Sequence, residues 1–144
     1  MTHAPLSQTL VLENCALGVP TCERMRALTK LQRLNYSQCA IGDGLAHLGS
    51  LRALTHLQVS SKPDILEDDA QGSFQIRDAD FEHLVGLRRL RLLELNGQTS
   101  VTIGGLQRLS VLSSLSKLTL GECYNVNRDL LPGVLSQIVW ELID

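Results

Sequence analysis

The chain has 144 residues, 44% of them hydrophobic, which is enough to bury a sizeable core without help from metals or disulfides. Thirteen basic against fifteen acidic residues leave a formal charge of -2 and no long basic stripe, which argues against a nucleic-acid partner, and no apolar run approaches the roughly 18 to 20 residues needed to span a bilayer. Leucine dominates the composition, with 29 copies against two Phe, two Tyr and one Trp, and so uniform a core suggests one packing unit used repeatedly.

In chain order, the first recurring unit is Leu10, Leu12 and Cys15, the second half of an L-x-x-L-x-L-x-x-C pattern. The full pattern follows at Leu31, Leu34, Tyr36 and Cys39, then comes a stretch with helical spacing at Leu45, Leu48 and Leu51. Leu54, Leu57 and Val59 begin a third unit. An insertion over about 61–73 (S-K-P-D-I-L-E-D-D-A-Q-G-S) follows, whose Pro, Gly and four acids suit an exposed loop. Leu84 and Leu87 lead to Leu90, Leu93 and Leu95. Leu106, Leu109 and Leu112 lead to Leu115, Leu118, Leu120 and Cys123. The anchoring residues Leu10, Leu34, Leu57, Leu93 and Leu118 are spaced by 24, 23, 36 and 25 positions, the long interval marking the insertion.

Each L-x-L alternation turns two apolar side chains to one face of a short strand, and each helical stretch has one apolar stripe. Neither face can be buried inside a unit of about 24 residues, so neighbouring units must stack. The expected fold is therefore α/β: a horseshoe-shaped solenoid of about five repeats, with a parallel sheet on its concave face and helices on its convex face. The whole of 1–144 is read as one such domain, complete or a fragment of a longer one. Neither end carries a polar capping unit, so the chain is expected to be a piece of a longer protein or a part of an assembly that supplies the caps. The stretch from Val134 to Ile143, where Trp140 stands among Leu135, Ile138, Val139 and Leu142, reads as the last core layer, or else as an uncovered layer that needs a partner.

On these residues the chain resembles leucine-rich repeat proteins. The run C-x-I-x-D-G-L at Cys39, Ile41, Asp43, Gly44 and Leu45 is similar to the cysteine-containing repeat class of F-box proteins, with echoes at Ile76, Asp78, Phe81 and Leu84 and at Cys123 and Val126. The resemblance implies a non-catalytic protein-protein interaction module and, more narrowly, a substrate-recognition part of a ubiquitin ligase. No F-box-like helical segment precedes the repeats in this sequence. The alternative is a structural subunit packed inside a large macromolecular assembly.

Residue types that carry chemistry are few. Cys15, Cys39 and Cys123 share one register position at the strand-to-turn bend, which suits a packed thiol bonding the backbone better than a metal cluster. Cys22 falls out of that register, at a position compatible with exposure, and there is no C-x-x-C pair. The glycines Gly42, Gly44 and Gly49 do not have dinucleotide-loop spacing, and the four histidines have no ligand spacing. No catalytic set, cofactor, metal or small-molecule substrate is therefore expected. With no leader-like first thirty residues, the cysteines are expected to be reduced, in the cytosol or another reducing compartment.

A protein partner is expected on the outward residues of the strands: Arg33, Asn35, Ser37, His56, Gln58, Ser60, Glu94, Asn96, Lys117 and Thr119. This surface is polar and mixed in charge, and it has no aromatic anchor, so modest affinity is expected. Alternative docking points are the acids Glu67, Asp68 and Asp69 of the insertion, Arg88 and Arg89 in the densest charge group, and Trp140.

Overall fold

A computed structural model describes residues 8–14, 19–39, 45–61 and 75–143. Six strands, β1 (Thr9–Glu13), β2 (Arg33–Ser37), β3 (His56–Ser60), β4 (Leu92–Asn96), β5 (Lys117–Gly121) and β6 (Val139–Ile143), form one parallel sheet in sequence order. Between them lie short helices, α1 (Val19–Met25), α2 (Leu45–Leu48), α3 (Phe81–Leu84), α4 (Ile103–Leu106) and α5 (Leu131–Val134), the last three joined to 3-10 turns. This is the expected α/β solenoid, with one more strand than the repeat spacing predicted. The insertion expected at about 61–73 lies, from residue 62 on, outside the described residues, as do Cys15 and the Ile41, Asp43 and Gly44 of the repeat motif.

Register follows the leucines. Leu10, Leu34, Leu57, Leu93, Leu118 and Trp140 are Cα partners across the whole sheet, and Leu12, Tyr36, Val59, Leu95, Leu120 and Leu142 form the next inward row. Apart from the two edge strands, whose inward residues are half-buried, these side chains are at most 2% exposed. Fully burying one leucine is worth about 1.5–3 kcal/mol, so the repeated rows are the main source of cohesion. Tyr36 takes a leucine position in β2, and its hydroxyl has a partner in Met25 Sδ of α1 at 3.5 Å.

The strands end in a shared backbone device. Asn14, Gln38, Gly97 and Glu122, each one residue past its strand, have φ of 51°, 55°, 68° and 51°, a left-handed bend that sends the chain toward the helical side. Ser61 occupies this place after β3 without a positive φ, at the point where the insertion leaves. The ladder continues there all the same, since the Ser61 N–H donates to the Asn96 carbonyl at 3.0 Å.

Cys39 and Cys123 sit one residue beyond the bend, as the repeat predicts. The Cys39 thiol donates to the Leu12 and Ser37 carbonyls at 3.3 and 3.4 Å, and that of Cys123 to the Leu95 and Gly121 carbonyls at the same distances. Cys22 does not match its expectation. It is 1% exposed, because its spacing from Met25 places both on the inward face of α1, and burial pushes its thiol pKa up.

In the register place of those cysteines the fourth repeat carries Gln98, fully buried in a polar clamp. Its Oε1 accepts the Ile76 N–H at 2.7 Å, and its Nε2 donates to Ser61 Oγ at 3.0 Å and to the Asn96 carbonyl at 3.3 Å. Gln75 adds donations to Ser61 Oγ and the Gly97 carbonyl at 3.1 and 2.9 Å and accepts from Thr99 N–H at 2.7 Å. Ser61 Oγ itself donates to the Gly97 carbonyl at 3.0 Å, so its hydroxyl is fully used. The two residues where the insertion leaves and returns are thus tied to the same turn after β4.

Candidate functional site: the concave sheet face

The outward residues of parallel strands stand in columns about 4.8 Å apart from strand to strand. One column runs Thr9, Arg33, His56, Leu92, Lys117, Val139, a second Val11, Asn35, Gln58, Glu94, Thr119, Glu141, and a third Glu13, Ser37, Ser60, Asn96, Gly121, Ile143. The sheet brings ten of the sequence-predicted contact residues onto one surface, though they do not act as one.

Over β1 to β4 the face is open. A depression of about 270 Å³ is lined by Arg33, Asn35, His56, Gln58 and Glu94, with Thr9, Val11 and Leu92 as its less polar parts. Asn35 Nδ2 donates to Gln58 Oε1 at 3.2 Å, while the neighbouring Oδ1 is buried and has no donor, since Val11 on its other side offers no polar atom. A buried acceptor left in this state costs about 1–3 kcal/mol. His56 is held below the usual histidine range, first by burial and then by the positive charges of Arg33 and Arg91, against an opposing pull from Glu94. Its Nδ1 lies 2.8 Å from Thr55 Oγ1.

At Thr119 and Gly121 of β5 the face is closed. Thr119 is only 1% exposed and closed to a partner, which corrects its expected contact role. Its central strand position between Glu94 and Glu141, beside the Lys117–Glu141 ion pair at 3.0 Å, is the physical setting of that burial. Asn96 covers Gly121 so closely that a Cβ there would meet its Oδ1 at 2.3 Å, and Asn96 Nδ2 reaches Ser60 Oγ at 3.4 Å. Asn96 and Ser60 therefore satisfy each other across the third column, and Ser37 stands half-buried in the same column.

The alternative docking residues are scattered. Glu67, Asp68 and Asp69 lie outside the described residues. Arg88 and Arg89 are exposed in the turn after α3, while Glu82 of α3 pairs with Arg108 at 2.5 Å. Trp140 is half-buried on β6, packed against the core, while its neighbours Val139 and Ile143 are 68% and 52% exposed. Among the described residues no group of three or more His, Cys, Asp or Glu is placed to hold a metal ion, and no helix is long and apolar enough to cross a membrane. Sequence reading missed the clamp of Gln75 and Gln98, and the only available signal was a polar residue in the cysteine place of its repeat.

No protein-family model matches the chain, and no curated protein is similar to it in sequence. Among solved structures, internalin C2 of Listeria monocytogenes superposes with a TM-score of 0.54 at 18% identity, over 83% of this chain and 45% of that one. This chain thus spans less than half the length of that leucine-rich repeat protein. At such identity the likeness is one of fold, and the fold is that of the leucine-rich repeat solenoid.

Proposed function

We propose that this chain is a non-catalytic protein-recognition module that captures its partner over β1 to β4. The observation that carries the reading is the open depression there, where Arg33, Asn35, His56, Gln58 and Glu94 converge. A concave surface with a few convergent polar and charged groups is what a partner's backbone or side chains can complement. The finer reading, a substrate-recognition part of a ubiquitin ligase, has its support in the cysteine-containing repeat motif at Cys39 and Leu45.

A second reading is a structural subunit of a large assembly. It is favoured by apolar surface at both edges of the described sheet: Val139 and Ile143 on β6, and a groove of about 410 Å³ beside β1 lined by Leu10, Ala27, Leu28 and Leu31. Affinity purification with mass spectrometry separates the two. The unaltered chain, an Arg33→Ala/Gln58→Ala variant and an Arg88→Ala/Arg89→Ala variant would serve as baits. The recognition reading expects a protein lost only with the first variant, with cullin-ligase adaptors among the co-purifying set if the finer reading holds. Equal retention of one stoichiometric complex by all three baits would reject it in favour of the structural subunit.

A further inference from the structure

The open depression is chemically lopsided. Arg33 and His56 are direct register partners on adjacent strands, so their side chains emerge about 4.8 Å apart, a span that a single carboxylate can bridge. Arg91 adds positive charge just before β4, while Glu94 stands on the opposite wall.

The hydrogen bonds around His56 favour one tautomer. Thr55 Oγ1 donates its one proton to the Gln32 carbonyl at 3.0 Å, so toward His56 Nδ1 at 2.8 Å it acts as acceptor. In that arrangement Nδ1 carries the hydrogen, and the neutral ring keeps Nε2, on its far side, as a bare acceptor. A carboxylate cannot bond to that lone pair. It can bond once Nε2 is protonated, and Arg33 can then share the same anion through its planar fork.

Resting on the protein-recognition reading above, we infer that Arg33 and His56 form a subsite for an acidic side chain of the partner, and that its binding takes up one proton from solvent at His56 Nε2. The groups facing His56 are Arg33 from β2, Arg91 and Glu94 from β4 and its lead-in, and Thr55 just before its own strand. Burial first and then the two arginines disfavour a charged ring in the empty site, and the incoming carboxylate offsets the arginines. Glu94 opposes a second negative charge in the same space, so the subsite fits a monoanionic carboxylate and not a run of phosphates.

The test uses the full chain and two blocked peptides, acetyl-Gly-Leu-Glu-Leu-Gly-amide and its Gln counterpart, followed by NMR of the His56 ring and of backbone amides at pH 7.5 and 5.5. The Glu peptide is expected to raise the His56 titration midpoint and to bind about three- to tenfold more tightly at the lower pH. The Gln peptide should do neither. Arg33→Gln should weaken Glu-peptide binding about three- to fivefold at both pH values. His56→Gln should remove the pH dependence while keeping the Arg33 contribution. Equal responses to the two peptides at the amides of β1 to β4 would overturn the carboxylate subsite and leave concave recognition standing. A Glu peptide that leaves His56 unmoved at millimolar concentration would overturn the subsite as well.

Discussion

Cys39 and Cys123 make the same two hydrogen bonds in separate repeats, each thiol donating to the carbonyl two residues back and to the penultimate carbonyl of the preceding strand. The thiol supplies a small additional donor to the strand-end carbonyls where the chain bends away from the sheet. For Cys123 burial is the main cause that pushes its pKa up to about 11, with Glu122 adding to it against the Gln98 backbone N–H. A raised thiol pKa favours the fold while the unfolded thiol is still protonated. That stability is complete below about pH 9 and is lost as pH rises toward 11, a decline of roughly 3 kcal/mol at most. Alkylation at pH 8 should be about a hundredfold slower at Cys123 than in the urea-unfolded chain. Equal rates measured by mass spectrometry would contradict the bonded, buried thiol.

Gln98 performs the cysteine's task and a second one. Like the thiols it bonds the carbonyl two residues back, and it also holds the Ile76 N–H and Ser61. Gln98→Leu keeps most of the volume but leaves the buried Ile76 N–H without an acceptor, and should cost about 1–3 kcal/mol in urea unfolding. Gln98→Cys restores only the carbonyl contact and should remain destabilised. The clamp would be refuted by a Gln98→Leu chain as stable as the original with unchanged hydrogen exchange at Ile76.

The leucine rows were legible because burial on one face imposes period two within a strand, and stacking imposes a near-constant interval between strands. Leu10, Leu34, Leu57, Leu93 and Leu118 accordingly fall into one register row. The strand carrying Trp140 was less visible, since its repeat is shorter and begins its alternation with an aromatic residue in place of leucine. Cys22 was misjudged because a repeat alignment ignores the helical interval it shares with Met25. The clamp and the burial of Thr119 are properties of side chains from three or more separate segments, and no local pattern encodes them. The outward columns themselves could be read directly, but which half of them is open could not.

Gly49 and Glu122 make opposite predictions about glycine. A Cβ at Gly49 would lie 2.8 Å from the His83 carbonyl of the next helical layer, a backbone atom that cannot swing aside. Gly49→Ala gains about 0.4–1 kcal/mol from a stiffer unfolded chain but forces two layers apart at about 1–3 kcal/mol, so net destabilisation is expected. Glu122, at φ 51°, is the reverse case, where a side chain is carried in a conformation that glycine adopts without strain. Glu122→Gly should be neutral to stabilising by up to about 1 kcal/mol. Paired thermal melts test both, and a stabilised Gly49→Ala would mean that the layers are looser than their contact implies.

His56 should make the fold sensitive to mild acid. Its pKa is lowered by burial first and then by Arg33 and Arg91, with Glu94 opposing, so the folded chain takes up a proton less readily than the unfolded chain. The stability that follows from a lowered value is fully present above the ordinary 6.5 and is lost as pH falls from there through the folded pKa. Replacing His56 by Gln removes the titrating group, and replacing Arg33 by Gln removes one of the charges that depress it. The first variant should flatten the stability profile between pH 7 and 5, and the second should make the fall smaller and end it at higher pH, because His56 protonates more easily in the fold and the gap to the unfolded value narrows. Urea midpoints taken every half pH unit on the three chains give the comparison. An unaltered chain whose profile already matches that of His56→Gln would show that the arginines do not act on the ring, and would remove the electrostatic basis for a proton-linked carboxylate subsite.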